Sequence, residues 1–148
     1  LPAWKRTRRR KPIAASKYYF FDVGVVTALQ SREGVRRGTP EYGQAFETYI
    51  MHELLCWRDY RSGDALSHWR STSGFEVDFI VGDHTAIEAK SKANVSDTDL
   101  KSLRALAEEN AFRRLICVCM EPRRRTSGAV QIVPFGDFLI DLWNGAYS

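Results

Sequence analysis

Residues 74–92, GFEVDFIVGDHTAIEAKSK, constrain the fold of this chain more than any other stretch. Val77, Phe79, Ile80 and Val81 form one apolar run, and Ala86, Ile87 and Ala89 a second; the short GDH turn between them predicts two antiparallel neighbouring strands. Charges interrupt both: Asp78 stands in the first strand, Glu88 and Lys90 in the second. A buried charge is costly unless it is paired or binds a metal. Residues two apart on a strand share a face, so Glu88 and Lys90 point one way while Ile87 and Ala89 turn into the core. Asp78, on the adjacent strand, can converge with them near one end of the sheet. Two carboxylates held together repel unless a hard cation lies between them. Mg²⁺ suits such a place, because it takes oxygen ligands, keeps several waters and needs only one or two protein carboxylates. The same residues also read as ion pairs, Asp78 with Lys90 or Arg70 and Glu88 with Lys90.

The elements around this pair follow from periodicity. Residues 16–30, SKYYFFDVGVVTALQ, predict an aromatic strand and then a helix capped by Asp22. Residues 32–40 read as a loop. From 43 to about 60, Phe46, Ile50, Leu54 and Trp57 recur at helical spacing, with Met51 and Leu55 beside them. Glu47 lies on the side of Ile50, Met51 and Leu54 and therefore faces inward, where it can complete an acidic cluster. Strands are expected at 66–71, 75–81 and 85–91. A helix capped by Ser96 or Asp97 follows to about 110, then a central strand at 114–120, a loop through EPRRRTSG, a strand in AVQIVPF and a helix at 135–143. The core order is αβββαββα, an α/β fold with a mixed sheet flanked by helices.

The length of 148 residues suits one domain. No stretch approaches the ~20 apolar residues of a membrane span. Cys56, Cys117 and Cys119 show no metal-ligand spacing, and Cys117 and Cys119 read as small hydrophobes in an apolar run; a reduced, cytoplasmic protein is expected. His52, His68 and His84 read as surface or packing residues. No Walker-type phosphate loop is present, so the chain holds no ATP site. KRTRRRK contributes Lys5, Arg6, Arg8, Arg9, Arg10 and Lys11; taking these six charges from the formal +4 leaves −2. Such a block attracts phosphate backbones without reading sequence, or serves as a solvated tail.

The helix pair FE, then EVDF, a turn and AIEAK resemble the PD-(D/E)XK phosphodiesterase superfamily and its restriction-endonuclease-like fold. SKYYFFDVGVVTAL, GQAFETYIMHEL, HWRSTSGFEVDFIV and IEAKSKANVSDTDLKSLRAL together resemble the uncharacterised C-terminal domain of AAA-type ATPases. The resemblance implies that Asp78 and Glu88 bind Mg²⁺ or Mn²⁺, with the backbone carbonyl of Ala89 as a further ligand. It implies that Lys90 orients the attacking water and stabilises charge on the phosphate, and that Glu47 is the helix acid of the catalytic set. Val77 stands where the superfamily's name has proline. Lys92 and Lys101 are further candidates for phosphate contact.

The chain opens on Leu1 and is expected to belong to a longer polypeptide. Residues 1–32 would then connect to an upstream ATPase and winged-helix region, and 33–148 form the nuclease-like domain. The expected activity is Mg²⁺-dependent hydrolysis of DNA. The alternative is a catalytically silent module that grips nucleic acid or a partner, with homo-oligomerisation left open.

Overall fold

The helix over Pro40–Trp57 illustrates how local chemistry starts and stops an element. Thr39 accepts a hydrogen bond from the Tyr42 N–H at 3.3 Å, and Pro40 occupies a first-turn position where no N–H is needed. Phe46, Ile50, Met51, Leu54 and Trp57 are buried along one face. The helix ends in a wider turn at Arg58–Ser62, closed by Gly63 at φ +69°, whose N–H bonds the Arg58 carbonyl at 2.8 Å.

This computed structural model describes residues 1–30 and 34–147. The boundary expected between 32 and 33, and the first part of the loop expected over 32–40, lie outside the described residues. The elements are α1 (Val23–Leu29), α2 (Pro40–Trp57), β1 (Leu66–Arg70), β2 (Glu76–Val81), β3 (Thr85–Lys90), α3 (Lys101–Ala107), β4 (Arg114–Cys119), β5 (Arg125–Ser127), β6 (Val130–Pro134) and α4 (Phe135–Trp143). They form a mixed six-stranded sheet in the order β1-β2-β3-β4-β6-β5. β1, β2 and β3 pair antiparallel, β3, β4 and β6 parallel, and β5 antiparallel to β6. β4 is central and buried from Leu115 onward, as its unbroken apolar run requires.

Two cores flank the sheet. Leu103 and Leu106 of α3 pack with Trp69, Val77, Ile80 and Trp4 on one face. Ile50, Leu54 and Trp57 of α2 pack with Phe79, Ile87 and Phe138 on the other. No helix among the described residues is long and apolar enough to cross a membrane.

Three expectations are corrected. The aromatic strand before α1 does not form: Tyr18, Phe20 and Phe21 are exposed, and only Tyr19 tucks in, stacked on Phe79. Its natural partner, the free edge of β1, is taken by earlier residues, which bridge Ala3 to His68 and Pro12 to Ser71. Asp22 does cap α1, accepting from the Val25 N–H at 2.8 Å. The next helix starts at Lys101 without a side-chain cap, because Asp97 pairs with Arg104 at 2.6 Å and Ser96 bonds Asp99 instead. Finally, the EPRRRTSG loop contains β5, a three-residue edge strand too short and too exposed to show any apolar alternation.

Candidate functional site

A bulge sets the position of Asp78. Ser67 pairs with Ile80 and Trp69 with Val77, so the single residue His68 of β1 stands opposite both Asp78 and Phe79 of β2. The extra residue breaks the strand alternation. Val77 therefore packs on the α3 side and Phe79 on the α2 side, although they are two apart. The β2–β3 ladder also stops at Phe79–Ile87, while β3 stays paired with β4 as far as Lys90. The carboxylate of Asp78 fills the gap where β2 and β3 part: its Oδ2 accepts the Ala89 N–H at 3.0 Å.

Around it lies a dense ionic cluster. Lys17 Nζ is 2.7 Å from Glu47 Oε1, 2.8 Å from Glu76 Oε1 and 3.0 Å from Asp78 Oδ1. The Tyr19 hydroxyl donates to Glu47 Oε1 at 2.5 Å. On β3, Lys90 Nζ donates to Glu88 Oε1 at 2.5 Å, and the buried Glu88 Oε2 has no hydrogen-bond partner. Asp78 is 7% and Glu88 5% exposed. A cleft of about 380 Å³ opens beside the cluster, between α1 and α2, with Lys17, Tyr19, Val23, Gln44 and Glu47 in its wall.

Electrostatics follow from this packing. Burial, reinforced by the neighbouring charge of Glu47, raises the Asp78 carboxyl above its ordinary range. Burial and the Asp78 charge push Glu88 up to about 8 against the attraction of Lys90. Burial disfavours the charge on Lys17, but Asp78 and Glu47 more than offset it and hold the ammonium above its usual range. With all groups ionised, the four carboxylates Glu47, Glu76, Asp78 and Glu88 face the two ammonium groups of Lys17 and Lys90. Arg70, 3.8 Å from Glu76, is largely exposed and screened.

Among the described residues, no three His, Cys, Asp or Glu side chains are grouped so as to hold a metal ion. The donor set is smaller: the orphan Glu88 oxygen, the remaining lone pairs of Asp78 and the nearby backbone. One or two carboxylates with waters fit Mg²⁺, whereas a structural site for Ca²⁺ or Zn²⁺ would need more.

Asp78 and Glu47 thus come together through Lys17, while Glu88 and Lys90 form a pair on the adjacent strand that Asp78 reaches through the Ala89 N–H and through its charge. The other candidates do not join them. Lys92 pairs with Asp99 at 2.5 Å, and Lys101 is exposed on α3. Arg6 pairs with Asp83 in the β2–β3 turn. The backbone N–H groups of Arg8, Arg9 and Arg10 all donate to Glu109, at 2.6, 2.9 and 3.2 Å, just beyond the end of α3. Arg10 also pairs with Glu108 at 2.8 Å and lies over the Phe75 ring. Lys5, Arg8, Arg9 and Lys11 keep exposed side chains. Arg6 thus reaches the β2–β3 turn, whereas Glu88 and Lys90 lie at the other end of β3, a strand about 17 Å long. His68 is a packing residue, its Nε2 3.0 Å from the Ala15 carbonyl oxygen.

Sequence reasoning missed Lys17, Tyr19 and Glu76. Glu76 carried a signal, being two residues from Asp78 on the same strand. Lys17 carried none, since it meets Asp78 across 61 residues of chain.

In comparisons with known proteins, residues 42–138 match the domain of unknown function DUF4143. No curated protein and no solved structure matches the chain. The matched segment runs from α2 into α4 and holds Glu47, Asp78, Glu88 and Lys90, while Lys17 precedes it. It spans well over half of the 148 residues, and the chain belongs to the DUF4143 family.

Proposed function

We propose that this chain carries a Mg²⁺- or Mn²⁺-dependent DNA phosphodiesterase site of the PD-(D/E)XK type, on a restriction-endonuclease-like core attached to an AAA-type ATPase. One observation carries the reading: two buried carboxylates stand on adjacent strands where β2 and β3 part, close enough for the Asp78 charge to raise Glu88, and Glu88 keeps a buried oxygen without a partner beside the Lys90 ammonium. An unpartnered buried acceptor is costly, and a cation on this oxygen would satisfy it.

Asp78 and Glu88 would hold the cation, with the Ala89 carbonyl as a further ligand. Once bound, the cation would polarise a phosphoryl oxygen and acidify a water. The protein supplies the rest. The Ala89 N–H fixes the Asp78 carboxylate at 3.0 Å. Lys90, tethered to Glu88, is placed to steady the attacking water and to offset charge developing on the phosphate. Glu47 is oriented by Tyr19 and Lys17 as the acid from the helix. Three free cysteines, two of them buried, support a reduced, cytoplasmic setting.

The test is metal-dependent cleavage of plasmid and single-stranded DNA, with Asp78→Asn as control. Cleavage by wild type and none by the variant is expected; equal rates would remove the site from the reaction. A second reading, a module that grips DNA without cutting it, is favoured by the position of Lys5, Arg8 and Arg9. Their side chains are exposed while Asp78 and Glu88 are buried, so grip and chemistry can be tested separately.

A further inference from the structure

Lys17 belongs to no part of the motif behind the proposed reaction and lies outside the segment matched to the family. Yet its ammonium occupies the middle of the acids. An ammonium has three donors and no acceptor. Each donor of Lys17 has a carboxylate within 3.0 Å, from Glu47, Glu76 and Asp78. The segment that delivers it is anchored on both sides. The Lys17 N–H bonds the Leu1 carbonyl at 2.9 Å, and His68 meets the Ala15 carbonyl oxygen at 3.0 Å.

Lys17 does not complete the site. It reaches Asp78 Oδ1 but leaves Glu88 Oε2, on a side chain 5% exposed, without a partner. That orphan oxygen is the observation, separate from the Lys17 contacts, that supports a further cation here. Two cations on one carboxylate repel strongly at such distances. Asp78 already spends Oδ2 on the Ala89 N–H, so Oδ1 is the oxygen both would seek.

We propose that Lys17 is an intramolecular competitor for the divalent cation: it holds Asp78 when the ion is absent, and the ion, on binding Asp78 and Glu88, displaces it toward Glu47 and Glu76. The inference rests on the reading of Asp78 and Glu88 as cation ligands. Its consequence is that affinity for the ion is set from residues 1–19 and falls by the fraction of time Lys17 leaves Asp78 free.

The experiment has two arms. In the first, Mn²⁺ is titrated calorimetrically into wild type, Lys17→Met and Lys17→Arg. Lys17→Met is expected to bind about tenfold tighter, the gain if the competent form is populated roughly one-tenth of the time; Lys17→Arg should stay at the wild-type value. The second arm needs no variant and is unaffected should Lys17→Met fold poorly. Lysine acylation of wild type, read by mass spectrometry, should proceed faster at Lys17 with Mn²⁺ than without, while Lys5 and Lys101 keep their rates. Equal or weaker binding by Lys17→Met, or Lys17 acylation unchanged at saturating Mn²⁺, overturns the competition and leaves the cation site standing. If neither wild type nor Lys17→Met binds Mn²⁺, the cation site itself falls, and the competition with it.

Discussion

Glu88 and Glu109 each expose only 5% of their surface, but Glu88 lies deep in the sheet and Glu109 near the surface at the end of α3, and their surroundings treat the carboxylate in opposite ways. Glu109 sits at the end of α3 and accepts three backbone N–H groups from Arg8, Arg9 and Arg10. Those bonds, with the charge of Arg10, outweigh its burial and hold it below the ordinary carboxylate range. Glu88 sits on β3 with one ammonium on one oxygen and nothing on the other. Burial and Asp78 push it up to about 8. A buried acid that the fold fully partners is structural. One that the fold leaves half-partnered, beside a second acid, is where the proposed cation would bind.

Loss of chemistry should give the largest effect. Lys90→Ala is expected to lower DNA cleavage by about 10²-fold or more, as removal of a charge-stabilising donor does elsewhere, while the thermal unfolding profile stays close to wild type. If the variant unfolds instead, Lys90 is only the structural partner of Glu88, and the contrast between the two glutamates weakens.

Stability should separate the pair next. Glu109→Ala strands three backbone donors and is expected to cost about 2 kcal/mol, read by urea unfolding. Glu88→Gln keeps an oxygen for the Lys90 ammonium, and because burial and Asp78 already disfavour the Glu88 charge it should cost less than Glu109→Ala. Equal losses in both variants would mean that Glu88 is as structural as Glu109.

The pH dependence sharpens the same contrast through its sign. In a metal-free buffer Glu88 binds a proton more tightly folded than unfolded, so its contribution is present at low pH and is lost as pH rises from about 4.5 toward about 8. Glu109, lowered in the fold, contributes above its unfolded value of 4.5 and loses that contribution as pH falls. Stability against pH for Glu88→Gln should therefore lack part of the decline on the alkaline side. Glu109→Gln should lack part of the acid-side loss. Variants that flatten the same limb would contradict the assignment.

The smallest effect concerns the basic run, and Glu109 changes how it must be tested. Deleting the run would also remove the backbone donors of Glu109, so the side chains alone are replaced. Serine at Lys5, Arg8, Arg9 and Lys11 should shift stability by no more than about 0.5 kcal/mol. If these groups meet phosphates, the salt slope of DNA binding should fall by about 0.9 for each phosphate no longer neutralised. An unchanged slope would take DNA out of this region.

Much of this frame was legible in the chain. Phe46, Ile50, Leu54 and Trp57 announce α2, and the short turn between two apolar runs announces β2 and β3, because these signals depend on neighbours in sequence. The bulge at Asp78 was not legible, since it depends on how His68 registers against β2. Glu109 was not legible either, because its partners are backbone groups about 100 residues away that no side-chain pattern encodes. Lys17 was hidden by the same distance in sequence. The charges of KRTRRRK stood out as a binding patch, yet part of that segment's work is done by its backbone.

The central claim is that Glu88, unlike Glu109, is half-partnered because a divalent cation belongs beside it. Calorimetric titration of Mn²⁺ into wild type, Glu88→Gln and Glu109→Gln tests this directly. Weak, saturable binding by wild type and Glu109→Gln, and its loss in Glu88→Gln, is the predicted result. Undiminished binding by Glu88→Gln, or no binding by wild type, would contradict it.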